Sequence, residues 1–273
     1  MNSLQRAGRW VSDHLIMTIG ILVLIYMFVP IAVVVLMSFN DPVSRNTYQF
    51  DGFTLANWQH PCGVEGMCGA VGLSIRIALL ATLGSTVLGT LMAFALVRHR
   101  FTGRSTANLV IFLPMASPEI VMGSSLLALF IAAGFGGQLG FLTILIAHIM
   151  FCLSFVVVTV KARLAGMDSR LEQAAMDLYA TEWQTFWRVT FPLVFPGILG
   201  AALLAFSLSF DDFIITNLNS GTTVTFPMFV WGSAQRTIPM QINVIGTAMF
   251  LISVLIVLGG EVGRRRSARA AAA

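Results

Sequence analysis

Six stretches of this chain, each roughly twenty residues long, run with almost no charged side chain, and that feature limits the fold more than any other. A helix crossing the hydrocarbon layer rises 1.5 Å per residue and needs about 20 apolar residues. The qualifying stretches are 15–38, 70–97, 107–132, 138–160, 195–216 and 242–260. In water they would be an aggregation hazard; in lipid they are spans. Composition agrees, with 57% of the 273 residues apolar and 10% charged, against roughly 45–50% and about 25% in soluble domains. The expected fold is an all-α membrane protein of six transmembrane helices, forming a single transmembrane domain over 1–273. The first stretch exceeds the 7–15 apolar residues of a signal-peptide core and lacks a small-residue cleavage site. Asn40, Asp41 and Pro42 follow it instead, so it is expected to be a retained span, kinked at Pro30.

The positions of Lys and Arg predict the orientation. Arg6, Arg9, Arg98, Arg100, Arg104, Lys161, Arg163, Arg170, Arg188, Arg264, Arg265, Arg266 and Arg269 fall on one side of the six spans. The other side has Arg45 and Arg236, plus Arg76 near the outer end of the second span. This asymmetry predicts both termini in the cytoplasm. The C-terminal arginines are expected to rest on anionic lipid headgroups of the bilayer. In a membrane chain the net charge of +4 is no argument for nucleic acid, and none is expected as a partner. Cys62 and Cys68 share an outer loop where a disulfide is permitted, and Gly63, Gly66 and Gly69 leave room for one. Cys152, inside the fourth span, reads as a buried thiol. The cysteine spacing matches no metal site.

One inner loop, 161–194, is longer than the rest and is patterned. Ser169 with Glu172, and Thr181 with Gln184, have capping-box spacing. Leu171, Ala174, Ala175 and Leu178 fall on one helical face, and Trp183, Phe186 and Trp187 on another. Pro192 and Pro196 end that pattern and open the fifth span. Two amphipathic helices are therefore expected at the membrane face. They either seal the bundle or form a docking surface for a soluble partner.

The segment Glu172-Gln173-Ala174-Ala175-Met176-Asp177-Leu178-Tyr179, followed by Val189-Thr190-Phe191-Pro192, resembles the EAA loop of ABC-importer permeases. That motif runs E-A-A, three residues, G, nine residues, I-x-L-P, and the spacing from Gln173 to Pro192 matches throughout. The resemblance implies a coupling helix seated in a cleft of an ATP-binding subunit, with Glu172, Gln173, Ala174, Ala175, Asp177, Tyr179 and Pro192 as the coupling residues. Two positions depart from the motif. Gln173 replaces its glutamate, removing a charge-assisted contact of about 1.5–3 kcal/mol; Glu172, one residue earlier, is the expected partial substitute. Tyr179 replaces its glycine, removing easy access to positive φ.

Further stretches resemble the second permease subunit of spermidine/putrescine importers. They are Phe53-Thr54-Leu55 with Asn57-Trp58, Leu96-Val97-Arg98 with Arg100-Phe101, and Leu113-Pro114 with Ser117-Pro118-Glu119-Ile120-Val121-Met122-Gly123. Leu204-Ala205-Phe206, Ser209 with Asp211-Asp212-Phe213, Ser220-Gly221 and Ile242-Asn243 complete the set. Permeases for ferric iron, thiamine and other solutes share parts of it. The resemblance implies a permease without its own ATPase site, a homologous second permease, two ATP-binding subunits that hold ATP and magnesium, and an extracytoplasmic substrate-binding protein.

Ionisable groups within spans are functional candidates. Glu119 lies about mid-membrane in the third span at 1.5 Å per residue, next to a helix-breaking Pro118. Asp211 and Asp212 lie toward the outer end of the fifth. Successive helix residues point about 100° apart, so at most one of the two faces a central path squarely; Ser207 lies one turn from Asp211. A carboxylate-lined path favours cations, although either aspartate could instead bond a neighbouring helix end or face a companion subunit. In the outer segment 217–241, Trp231 is a docking candidate for a binding protein or an interfacial anchor. A self-sufficient secondary carrier would show internal repeats, and an intramembrane enzyme a motif such as H-E-x-x-H or G-x-S-x-G. Neither is present, and His148, alone in its span, reads as a satisfied packing residue.

Overall fold

A computed structural model describes residues 3–43, 49–236 and 238–270, with the side chains of 3–13, 257 and 261–270 excepted. Arg45 lies outside the described residues, as do the side chains of Arg6, Arg9, Arg264, Arg265, Arg266 and Arg269. The described residues are helical and contain no strand, only an isolated bridge between Asn40 and Phe53. In chain order the helices are α1 (Ser3–Met37), α2 (Ala56–Gln59), α3 (Met67–Arg98), α4 (Arg104–Ala116), α5 (Glu119–Ala132), α6 (Phe141–Ala165), α7 (Arg170–Asp177), α8 (Glu182–Thr185), a π turn (Phe186–Thr190), α9 (Phe191–Asp211), α10 (Ile214–Asn219), α11 (Phe226–Ala234) and α12 (Met240–Ala270).

Five helical segments are long and apolar enough to cross a membrane: 14–37, 67–98, 141–165, 182–211 and 240–260. A sixth span exists if α4 and α5 count as one, but they meet at a bend of 109°. The third span expected over 107–132 is thus broken at the helix-breaking Pro118, and the cause is local. Pro118 has no amide hydrogen, and Ser117 terminates α4 by turning both its backbone N–H and its hydroxyl onto the Leu113 carbonyl (3.0 and 2.8 Å). The expected fifth span, 195–216, is shifted as well. Its helix runs unbroken from Glu182 through the π turn and past Pro192, which sits in the first turn of α9 where a missing N–H costs nothing. It stops at Asp211 because Asp212 turns extended to cap α10.

The chain forms two compact units, residues 1–66 with 232–273, and residues 67–231. In the first, α1 packs along α12, and α2 also meets α12. The link that follows α1 is held by Asn40, which is fully buried. Its amide donates to the Gln49 carbonyl (2.9 Å), its side-chain oxygen accepts from Asp51 N–H (2.8 Å), and its carbonyl accepts from Asn57 (2.8 Å). Trp58 donates to the Ser38 hydroxyl (3.2 Å) and stacks on Phe39. The Asn57-Trp58 pair therefore closes this loop.

In the second unit α3, α6 and α9 pack against one another over most of their length. The buried face of α3 carries Ala70, Ser74, Ala78, Ala81, Ser85, Gly89 and Ala93, a seam of small residues three or four apart. Lipid tails are as apolar as leucine, so helices in a bilayer associate through close packing, and small residues permit it. At Gly89 a Cβ would lie 2.7 Å from Val156 Cγ1 of α6. His148, Cys152, Val156 and Val160 of α6 are buried here, with Ala201 and Ala205 of α9. Cys152 is a free buried thiol, whereas Cys62 and Cys68 are both disulfide-bonded. Replacing Gly89 by Val is expected to force α3 from α6 and destabilise the fold by about 1–3 kcal/mol, read as an earlier thermal unfolding transition in detergent.

Candidate functional site

Two regions of the 67–231 unit carry the candidate residues. The first is the loop between α6 and α9. Thr181 and Gln184 form the expected capping box: Gln184 N–H donates to the Thr181 hydroxyl (3.3 Å) and Thr181 N–H to the Gln184 side chain (3.0 Å). Ser169 and Glu172 do not. Asp168 accepts from Arg170 N–H instead (2.9 Å), and the Glu172 carboxylate turns away to Arg98. Both guanidinium Nη atoms reach it at 2.6 Å, and the Thr190 hydroxyl donates to it as well. A bidentate fork on a charged donor outcompetes a bond to a neutral N–H.

The α7 surface also departs from the expected pattern. Ala175 and Glu172 are half-buried, while Leu171, Ala174, Met176 and Leu178 are exposed. Gln173 and Asp177 are exposed too. Of the apolar face predicted from spacing, Ala175 is partly covered, while Leu171, Ala174 and Leu178 are left exposed by the described residues. Tyr179 takes the glycine position of the motif in the left-handed region, at φ 62°, with its side chain 96% exposed. Such a conformation costs about 1–2 kcal/mol for a residue with a Cβ, so the bend keeps its geometry without the glycine. Trp183 and Trp187 are also exposed, while Phe186 anchors the aromatic run edge-on against Phe94 of α3. Arg163, in the last turn of α6, donates twice to the Leu193 carbonyl (3.0 and 2.8 Å) and ties the start of α9 to α6. Pro192 lies exposed beside it.

The second region contains the acids. Asp212 and Asp211 are neighbours with opposite fates. Asp212 is only 7% exposed. It accepts from Thr216 N–H (2.7 Å) and the Thr216 hydroxyl (2.8 Å), capping α10, and lies 3.3 Å from His148 Nε2. His148 also meets the hydroxyls of Ser209 through Nδ1 (2.7 Å) and Thr216 through Nε2 (2.8 Å), so the lone histidine of this span is fully partnered. Its partners lie 61 and 68 residues away in sequence, beyond the reach of local pattern. Asp211 and Ser207 are exposed, one helical turn apart on α9. Glu119, the first residue of α5 at the 109° bend, is exposed and within electrostatic range of Asp211 and Asp212. The break in the third span thus puts Glu119 at the start of α5, the helix against which α10 packs.

Asn219 closes the region by donating to the carbonyls of Gly123 (3.1 Å) and Ile215 (2.9 Å). Gly221 turns the chain at φ +57°, where a Cβ would meet the Leu139 carbonyl at 2.6 Å. Trp231 is 56% exposed and its ring lies 5.2 Å from that of Phe213. Among the described residues no cluster of three or more metal-binding side chains occurs.

Comparison with known proteins gives a consistent picture. Residues 85–269 match the family described as binding-protein-dependent transport system inner membrane component. The spermidine/putrescine transport system permease protein PotC of Haemophilus influenzae is 33% identical over 243 residues, covering 89% of this chain and 93% of that protein. The putrescine transport system permease protein PotI of Escherichia coli is 36% identical over 228 residues, covering 81% and 80%. Among solved structures, a bacterial ABC transporter involved in the import of the acidic polysaccharide alginate is similar in fold. It has a TM-score of 0.61 at 16% identity and covers 97% of this chain and 98% of that one.

The division between the two aspartates is testable. Asp212→Asn is expected to lose about 1–3 kcal/mol of stability, seen as a lower melting temperature in detergent. Asp211→Asn, an exposed change, is expected to stay within about 0.5 kcal/mol of the parent.

Proposed function

We propose polyamines as the cargo of this chain, which belongs to the family of binding-protein-dependent transport system inner membrane components. It is a multi-pass permease subunit of the bacterial inner membrane and a component of an ABC importer. The observation that carries the cargo is the pair of exposed carboxylates, Glu119 at the start of α5 and Asp211 at the end of α9, among spans that are otherwise almost free of charge. Carboxylates in a low-dielectric setting favour a polycation over phosphate or sulfate, and Ser207 adds a hydroxyl on the Asp211 face. The likeness to the spermidine/putrescine permeases supports the same class.

In this reading both termini and the α7–α8 loop are cytoplasmic, and the chain acts as one transmembrane domain beside a homologous permease. Two ATP-binding subunits supply ATP and magnesium, and this chain supplies no ATPase site. The uncovered face of Leu171, Ala174 and Leu178, with Tyr179 at its tip, docks on an ATP-binding subunit. Closure of the ATPase pair then pushes on α7 and α8 and tilts the spans, so that the acidic path opens inward instead of outward. Trp231 and the α11 surface receive the substrate-binding protein on the opposite side.

Labelled spermidine uptake into proteoliposomes tests the proposal. Uptake is expected only with all partner subunits and ATP. Glu119→Gln and Asp211→Asn should each weaken it by about tenfold to a hundredfold, the value of one charged contact. Gradient-driven uptake by the chain alone would identify a secondary carrier. An assembled complex that hydrolyses ATP but ignores spermidine would redirect the search to iron, thiamine or another solute. Ala174→Arg should abolish ATP-driven uptake while leaving membrane insertion intact.

A further inference from the structure

We infer that Arg98, through Glu172 and Thr190, is the strut by which movement of the α7 loop is passed into the membrane-spanning helices; this deepens the coupling role proposed above and rests on it. Glu172 sits in the first turn of α7, yet its carboxylate points away from the exposed face and toward the bundle. One oxygen takes Arg98 Nη1 and the other Nη2, each at 2.6 Å. Arg98 closes the last turn of α3, so the fork joins elements 74 residues apart in sequence. The Thr190 hydroxyl, the last residue of the π turn before α9, donates to the same carboxylate. One side chain of α7 therefore holds the end of one long span and the beginning of another.

The surroundings explain why this link matters mechanically. The main packing of α7 is against α8 and the π turn. Between it and the end of α3 lies a cavity of about 580 Å³, lined by Leu91, Phe94 and His99 on the α3 side and by Met176 and Phe186 opposite. Apolar packing is thin there, so the charged fork bridges a gap instead of reinforcing a packed seam. The side chains of Arg98 and Glu172 are 32% and 14% exposed, which keeps water from fully screening the pair. A bidentate guanidinium–carboxylate contact fixes orientation as well as distance, so it transmits rotation of α7, not only translation. Insertion of one extra residue at the π turn, a feature that recurs at functional sites, leaves Thr190 facing Glu172. Because α3 packs along both α6 and α9, displacement of its end is felt across the unit.

This assignment separates Glu172 from the docking surface. The residue expected to replace the missing glutamate at Gln173 serves inside the chain, and the partner meets the uncovered apolar face instead. Arg98 is thus a positioning residue, acting on transport through Glu172 and without touching cargo or nucleotide.

The test uses the complete complex in proteoliposomes and reads uptake per ATP hydrolysed, alongside the subunit ratio of the purified complex. Arg98→Gln is expected to retain the ATP-binding subunits while uptake per ATP falls about fivefold or more, the size of a typical coupling loss. Arg98→Glu should be at least as poor, and combining it with Glu172→Arg should restore much of the ratio. Should Arg98→Gln not assemble, Arg98→Lys, which keeps the charge and loses the fork, is expected to show the same loss to a smaller degree. Parental uptake per ATP in Arg98→Gln or Arg98→Lys, or a charge swap no better than Arg98→Glu alone, overturns the strut. The Ala174→Arg control separates the two ideas. If it abolishes assembly while Arg98 variants stay normal, only the strut fails; if it changes nothing, the docking role falls and the strut with it.

Discussion

The close contact of α3, α6 and α9 is the constraint on which the 67–231 unit depends. In a bilayer no gain comes from hiding apolar surface that lipid would cover equally well. Helices hold together where their backbones can approach, and the alanines, serines and glycine along α3 let them do so. Gly89 against Val156 of α6, and Gly197 of α9 against Arg163 of α6, mark the tightest points. That contact places the ends of the three helices. Arg98 and Arg163 occupy the last turns of α3 and α6, and Asp211 ends α9.

A second constraint is that buried polar groups must find partners. The broken third span and the short α10 leave backbone groups that a continuous helix would have satisfied itself. Asp212, His148, Ser209 and Thr216 answer this as one connected network, and Asn219 ties α10 to α5. The network sorts the acids. Asp212 is used by the fold, while Asp211 and Glu119 stay exposed. Two adjacent aspartates with identical chemistry thus take different roles because the helix ends between them.

At the other end of the unit the same economy separates Glu172 from its neighbours. Glu172, facing inward, holds α7 to Arg98 of α3 and to Thr190 just before α9, whereas Leu171, Ala174 and Leu178 are exposed among the described residues. A loop built this way is tied to the bundle on one face and leaves an apolar face open on the other. Tyr179 shows that the bend is kept even where the favourable glycine is absent, so its geometry is imposed by the flanking helices.

Much of this could be read from the amino-acid order alone. Five of the expected spans, their approximate positions and the capping box at Thr181 follow from local periodicity, which depends only on neighbours a few residues apart; the family was legible through the resemblance of its motifs. The satisfied state of His148 was also legible, though not its partners. Pro118 marked a break in the third span, but the sequence could not show its angle of 109°, that α8 runs through a π turn into α9, or that Leu171, Ala174 and Leu178 stay exposed. Nor could it separate Asp212 from Asp211, or assign Glu172 to Arg98 instead of a capping box or a partner subunit. The last two outcomes turn on contacts between residues 61 to 74 positions apart. Local pattern determines which segments become helices and which faces are apolar; only the packing of those helices decides which carboxylates are consumed inside the fold and which remain free to act.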